Sequence, residues 1–223
     1  KRNDPRAQTG KEAMNILALE LSSSRGSIAW LAGGEEAVAF AFAFANDRKH
    51  SGLFFENLQR VSEQFGRPDT IVVGLGPGSY AGTRIAIAAA IGLQSAYDNL
   101  LFGLPSICAM ETEADEYCVV GDARRQSFFF ATVKARQLVE EIALYSETEL
   151  RQRLNQFHPK LPIYSAEMLP QFVEATAHPP SAPALAQIIR DGIVVPEKTP
   201  LEPIYLREPH ITAPKGAVAL TSK

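Results

Sequence analysis

Gly74-Leu-Gly-Pro-Gly-Ser-Tyr-Ala-Gly-Thr-Arg-Ile-Ala-Ile-Ala-Ala-Ala-Ile-Gly-Leu93 joins a glycine-rich turn to a segment made almost wholly of small apolar residues. The turn follows an apolar run of strand length, Thr70 to Leu75, and leads into a helix reading from about Thr83 to Tyr97. Strand, tight turn and helix in that order begin an α/β unit. Gly76 and Gly78 admit backbone angles closed to other residues and allow close approach of a ligand. The helix N-terminus beyond them favours an anion. Yet the stretch matches neither the P-loop nor the dinucleotide fingerprint, and Arg84 is its single cation. Phosphate binding and plain tight packing both stay open. Ser79 follows Gly78 directly, which is not the spacing of a nucleophile elbow, so it reads as a helix cap.

The helix behind the turn has no real polar stripe. Between Ile85 and Ala96 only Gln94 and Ser95 are polar, whereas a helix lying on one sheet face should turn a polar side to water. Its small residues form two rows at four-residue spacing, Gly82, Ala86, Ala90 and Ala88, Gly92, Ala96. The preceding helix, Ser51 to Phe65, carries the stripe Phe54, Leu58, Val61, Phe65, with Leu53 and Phe55 beside it. Together they hold more apolar surface than one small sheet absorbs, and a large uncovered patch marks a protein interface. The reading places a docking face on Leu53, Phe54, Leu58 and Val61 of the first helix and Ala86, Ala89, Ala90, Leu93 and Tyr97 of the second. Two internal helices are the competing reading.

Around these helices the chain reads as two similar halves. Strands are expected at Asn15–Leu21, Ser27–Ala32 and Glu36–Phe44, then the two helices separated by the strand before the glycine turn. After Pro105 the order partly repeats. Tyr117–Gly121, Ser127–Lys134 and Gln137–Tyr145 read as strands, Thr148–Phe157 as a helix, Leu161–Tyr164 as a strand and Glu167–Ala177 as a helix. This is an α/β protein of mixed sheets with flanking helices, its unit duplicated around a cleft. Residues 14–112 form the first half and 113–223 a smaller second half with a proline-rich, irregular tail from Pro179. Residues 1–13 are polar and read as a frayed tail or a non-native remnant, with Met14 as the natural start.

Composition narrows the function. The chain has 223 residues, 46% hydrophobic and 21% charged, with a net charge of −3. That balance lacks the basic face by which a protein grips nucleic acid on its own. Cys108 and Cys118 match no metal spacing and read as reduced thiols of a cytosolic protein. The histidines, His50, His158, His178 and His210, include no pair at metal-binding spacing. No run reaches membrane-spanning length. Glu20 ends the first strand before Ser22-Ser-Ser24, where a carboxylate and hydroxyls would meet magnesium and phosphate, or simply form a polar turn. Asp122-Ala-Arg124-Arg125 mirrors it in the second half, as an anion clamp or as a solvated hairpin.

Asn15-Ile-Leu-Ala-Leu-Glu-Leu-Ser-Ser-Ser24, His50-Ser51, Gly74 through Ile85, Asp122-Ala-Arg-Arg125 and Pro203-Ile-Tyr-Leu-Arg207 occur in this order, and in this the chain resembles the TsaB (YeaZ) family from Met14 to about Arg207. The resemblance implies a duplicated actin/Hsp70-like (ASKHA) fold and cytoplasmic work beside TsaD in making threonylcarbamoyladenosine in tRNA. It implies a non-catalytic subunit that docks on a TsaD-like enzyme, pairs with itself when that enzyme is absent, works with a TsaE-like ATPase, and meets tRNA only through the complex. The catalytic relative carries H-x-x-x-H after the corresponding helix, whereas Leu101–Glu113 here contains no histidine. Catalytic and metal residues are therefore expected to be none. Glu20, Ser22, Gly76, Gly78, Ser79, Arg84 and Asp122 would be a vestigial phosphate site, and the resemblance allows ATP or ADP with magnesium where the two chains meet. The family's Asp-Thr-Ser is Glu20-Leu-Ser22 here, and its Phe-Thr-Gly-Leu-Arg is Tyr80-Ala-Gly-Thr-Arg84, changes that weaken a phosphate role more than an interface. The alternative is a stand-alone ATP-dependent carbamoyltransferase or ASKHA-type kinase. A protease reading finds no triad or metal motif.

Overall fold

The computed structural model describes residues 14–34, 37–46, 51–156, 161–193 and 201–207. The expected tail at 1–13 and the residues His50, His158 and His210 lie outside them. Three antiparallel strands open the chain, β1 (Ile16–Glu20), β2 (Arg25–Leu31) and β3 (Phe40–Ala45). Helix α1 (Ser51–Phe65), β4 (Thr70–Gly74), α2 (Tyr80–Tyr97) and β5 (Leu100–Leu104) follow. β4 runs parallel to β1, and β5 parallel to β4, giving the order β3-β2-β1-β4-β5. β1 and β4 are buried at every position because helices cover both faces of the sheet.

The second sheet repeats that plan. After a 3-10 turn (Ser106–Ala109) come β6 (Glu116–Asp122), β7 (Ser127–Lys134), β8 (Gln137–Leu138), β9 (Ala143–Ser146), α3 (Glu147–Gln156), β10 (Ile163–Ser165) and β11 (Thr176–Ala177). β6 pairs antiparallel with β7, and β7 with β8 and β9, while β10 joins β6 and β11 in parallel. Read outward from β6, the order β9-β7-β6-β10-β11 matches β3-β2-β1-β4-β5 in sequence and direction. The duplicated α/β architecture is present.

Several elements differ from the sequence reading. The third strand begins at Phe40, with Phe40, Phe42 and Phe44 turned toward the core and Ala41, Ala43 and Ala45 exposed. β5 was not read at all, because Leu100-Leu-Phe-Gly-Leu104 follows the long helix without a strong turn signal; Asp98, in the left-handed region at φ 54°, makes that turn. Glu167–Ala177 is not a helix. Pro170 falls within it, and Leu169 and Phe172 are buried from successive turns, Phe172 edge-on to Phe128 at 4.9 Å. The proline-rich tail is not wholly irregular either, since it holds α4 (Ala182–Arg190). Ser181 caps α4 through its hydroxyl on Ala184 N, and Pro183 stands in the first turn, where no N–H is needed.

Packing also crosses the expected boundary at residue 112. Leu185, Ala186, Ile188 and Ile189 of α4 bury against Ile16, Ala18, Leu31 and Val72, the far face of the first sheet. α1 and α2 lie together on the opposite face, over Leu17, Leu19, Ile28, Trp30, Ile71 and Val73. The first lobe is thus completed by a segment from the end of the chain. In the second lobe the two faces bury Ile107, Met110, Tyr117 and Phe129 on one side and Phe130, Leu150 and Phe172 on the other. Cys108 and Cys118 are free and buried in this lobe; burial pushes their thiols up to about 12 and about 11, out of the reactive range.

Candidate functional site

The glycine turn lies where β1 and β4 end. Glu20, the last residue of β1, is fully buried, and its Oε1 accepts a 2.6 Å hydrogen bond from Ser22 N. Its Oε2 is buried without a hydrogen bond. Burial raises the carboxyl above its ordinary range, opposed in part by its interactions with Ser22. The side chain fits only because residue 74 is glycine: a Cβ there would sit 1.8 Å from Oε2. Gly76, at φ 88°, takes a conformation reserved for glycine, and its N–H bonds Ser106 Oγ at 2.9 Å.

At the turn's far end two backbone N–H groups are engaged within the chain. Ser79 N donates to Ser22 O at 2.5 Å, and Ser79 Oγ accepts from Gly82 N at 3.2 Å. A Cβ on Gly78 would come 2.0 Å from Ser22 O, and one on Gly82 2.1 Å from Leu21 O. The glycines are spent on docking the β1–β2 turn against the start of α2.

A cleft of about 930 Å³ separates the two lobes. Ser22, Gly78, Ser79 and Asp122 line it, together with Asn46, Tyr80, Ser165, Glu167 and the run Pro203–Arg207. Four of the seven expected phosphate-site residues therefore meet in one place. The other three do not reach it. Glu20 and Gly76 are buried beneath the turn, and Arg84 turns along α2, donating to Tyr80 Oη at 2.8 Å with its guanidinium 5.1 Å over that ring. Asp122 serves its own hairpin: Oδ1 accepts from Arg124 N at 2.6 Å and Oδ2 pairs with Arg124 Nη1 at 2.9 Å. Arg124, Arg125 and Gln126 all lie in the left-handed region, at φ 63°, 53° and 58°, which the aspartate's turn-forming bonds help to hold. Among the described residues no group of three His, Cys, Asp or Glu side chains is placed to hold a metal ion.

The two helices present a different face from the one expected. Phe54, Leu58, Val61, Ala86 and Ala90 are buried in the first lobe's own core, at 1%, 8%, 0%, 0% and 0% exposure. Leu53, Ala89, Leu93 and Tyr97 are half-buried at its edge. The first five cannot touch a partner without leaving that core, so their assignment to a docking face is corrected. The flank away from the sheet is uncovered: Phe55 is 53% and Ile91 44% exposed, with Ala88, Gly92, Ser95 and Ala96 open beside Ile91. The signal was in the sequence. Phe55 shares its stripe with Gly52, Glu56, Gln59 and Glu63, an apolar ring on an otherwise polar side. Gly92 has nothing within 4 Å of where a Cβ would lie, so among the described residues no packing requires a glycine there.

Two lobes of repeated strand order, a closed glycine turn at their cleft and a helical face left open place the chain in the duplicated actin/Hsp70-like class of α/β proteins. The model of the family described as TsaD, tRNA N6-adenosine threonylcarbamoyltransferase, matches residues 48–161, half of the sequence, and the chain belongs to that family. Its function relates to the threonylcarbamoyl modification of adenosine in tRNA. YeaZ from Pseudomonas aeruginosa is similar in structure at a TM-score of 0.63 and 19% identity, over 80% of this chain and 92% of that one. Another structure, of a Pseudomonas aeruginosa protein described as similar to peptidase YeaZ, matches at a TM-score of 0.64 and 20% identity, over 87% of this chain and all of the other. These two likenesses establish the fold. No helix among the described residues is long and apolar enough to cross a membrane.

Proposed function

We propose that this chain is a non-catalytic subunit of a tRNA threonylcarbamoyltransferase complex, of the TsaB kind, which docks on a TsaD-like enzyme through the outward flank of α1 and α2. The observation that carries the reading is the open face of Ala88, Ile91, Gly92 and Ala96 on α2, a helix with few polar residues, together with the exposed Phe55 on α1. Exposed large apolar side chains beside a stripe of small ones let a second helix come close and bury them. The same face serves a second copy of the chain when the enzyme is absent. Work in the cytoplasm, a TsaE-like ATPase as third component and contact with tRNA only through the assembled complex belong to this reading.

The glycine turn then acts as structure. With Ser79 N and Gly82 N bonded inside the chain, it fixes the angle at which α2 leaves the sheet. The alternative is a stand-alone ATP-dependent enzyme using Ser22, Gly78, Ser79 and Asp122 around phosphates in the cleft. Calorimetry with ATP and magnesium, and light scattering of the chain alone and mixed with the TsaD-like protein of its organism, separate the two. The subunit reading expects no micromolar nucleotide binding by the isolated chain and a stable mixed complex. Tight ATP binding with no complex would overturn it.

A further inference from the structure

The run Leu201-Glu-Pro-Ile-Tyr-Leu-Arg207 touches both lobes within seven residues. Leu201 packs against the first core, in space that Gly103 leaves free; a Cβ there would lie 2.6 Å from Leu201 Cδ2. Ile204 N donates to Leu75 O at 2.8 Å, directly before the glycine turn. Leu75 N in turn bonds Leu104 O at 2.8 Å, so the run pairs beside the end of β4. The Tyr205 ring lies 5.3 Å from that of Tyr80, the first residue of α2. One residue later the contacts change lobe. Leu206 packs on the second core beside Tyr117 and Phe129, and the Arg207 guanidinium donates to Ser127 Oγ. Ser127 Oγ itself donates to Arg124 O at 2.9 Å, closing the left-handed hairpin turn.

We propose that Tyr205 and Arg207 are the two ends of an interlobe clasp that positions the start of α2 relative to the Arg124–Gln126 turn and so fixes the aperture of the cleft. The mechanism is short-range. Seven residues with a hydrogen bond and ring contact at one end and a charge-assisted bond at the other have little slack, since an extended chain spans only about 3.3 Å per residue. Two further ties make the same joint: Arg25 Nη1 to Glu111 Oε2 at 2.8 Å, and the bridge between Met110 and Pro180. The hydrogen bonds between Gly76 and Ser106 also tie the glycine turn to the segment that enters the second core at Ile107, but neither they nor these two ties reach the arginine turn. The clasp alone joins those two walls of the cleft among the described residues. This inference is independent of the docking face.

Amide hydrogen exchange on the full chain tests it through effects that cross from one lobe to the other. Arg207→Ala cuts the second-lobe end, and Tyr205→Ala the first-lobe end; both side chains are exposed, and neither is a core residue. Arg207→Ala is expected to speed exchange of Ser79 and Ile204 in the first lobe, and Tyr205→Ala that of Ala123 and Ser127 in the second, by roughly tenfold, while β1 and β4 amides keep their rates. Arg207→Lys should restore most of the protection. Acceleration confined to the mutated end, no acceleration, or general loss of structure in either variant would overturn the clasp.

Discussion

The two rows of small residues on α2 have the same spacing and opposite surroundings. In the inner row Ala86 and Ala90 are fully buried, and a Cβ on Gly82 would strike Leu21 O at 2.1 Å. In the outer row a Cβ on Gly92 would meet nothing within 4 Å, and Ala88 and Ala96 are exposed. The inner row is explained by the chain's own sheet. Among the described residues the outer row has no internal cause, although glycine inside a helix costs about 1 kcal/mol relative to alanine. Small residues on the inside are packing; those outside flank the exposed Ile91, and it is on them that the proposed docking face rests.

Substitutions can break or sharpen that contrast. The largest effect is expected inside. Ala90→Arg would bury an unpaired charge against Leu19 and Val73 and should cost on the order of 3–5 kcal/mol, read as a lower denaturation midpoint of the isolated chain. On the outside, Phe55→Arg should leave that midpoint within about 0.5 kcal/mol of wild type yet abolish self-association in light scattering. Glu20→Gln probes the turn beneath the inner row. Because burial raises the Glu20 carboxyl in the folded chain above the ordinary carboxylate range, folding holds its proton more tightly. Below that range both states are protonated and the stability is at its full value; as pH climbs the unfolded chain ionises first, so stability falls until the folded pKa is passed. Glu20→Gln should flatten this fall, as measured by urea midpoints at about pH 5 and about pH 8. The smallest effect is Gly92→Ala, expected to stabilise the isolated chain by about 0.5–1 kcal/mol while weakening the complex.

The fold was legible where pattern and chemistry agreed. The apolar runs around Leu17, Val72 and Val119 gave the central strands, and the break at Gly66-Arg-Pro68 ended the first helix. Legibility failed where distant segments decide. Nothing local shows that α4 crosses back to cover the first sheet, although Ser181 followed by Pro183 is a helix start. The burial of Phe54, Leu58, Val61, Ala86 and Ala90 was not legible, because a periodic stripe locates a helix's two sides but not which one its own sheet takes. Phe54 and Phe55 are adjacent in sequence, 1% and 53% exposed, and only the placement of β2 and β3 separates them. The cleft residues were half legible: Ser22, Ser79 and Asp122 do meet, but the bond from Ser79 N to Ser22 O follows from a backbone approach that sequence does not display.

The open flank of α1 and α2 is tested most directly by titrating the TsaD-like protein of the same organism with wild-type chain and with Ile91→Arg, alongside their thermal midpoints. Ile91→Arg should keep the wild-type midpoint and lose affinity by roughly 100-fold, as a charge placed in a buried contact does. Wild-type affinity in a normally folded Ile91→Arg chain would contradict the docking face.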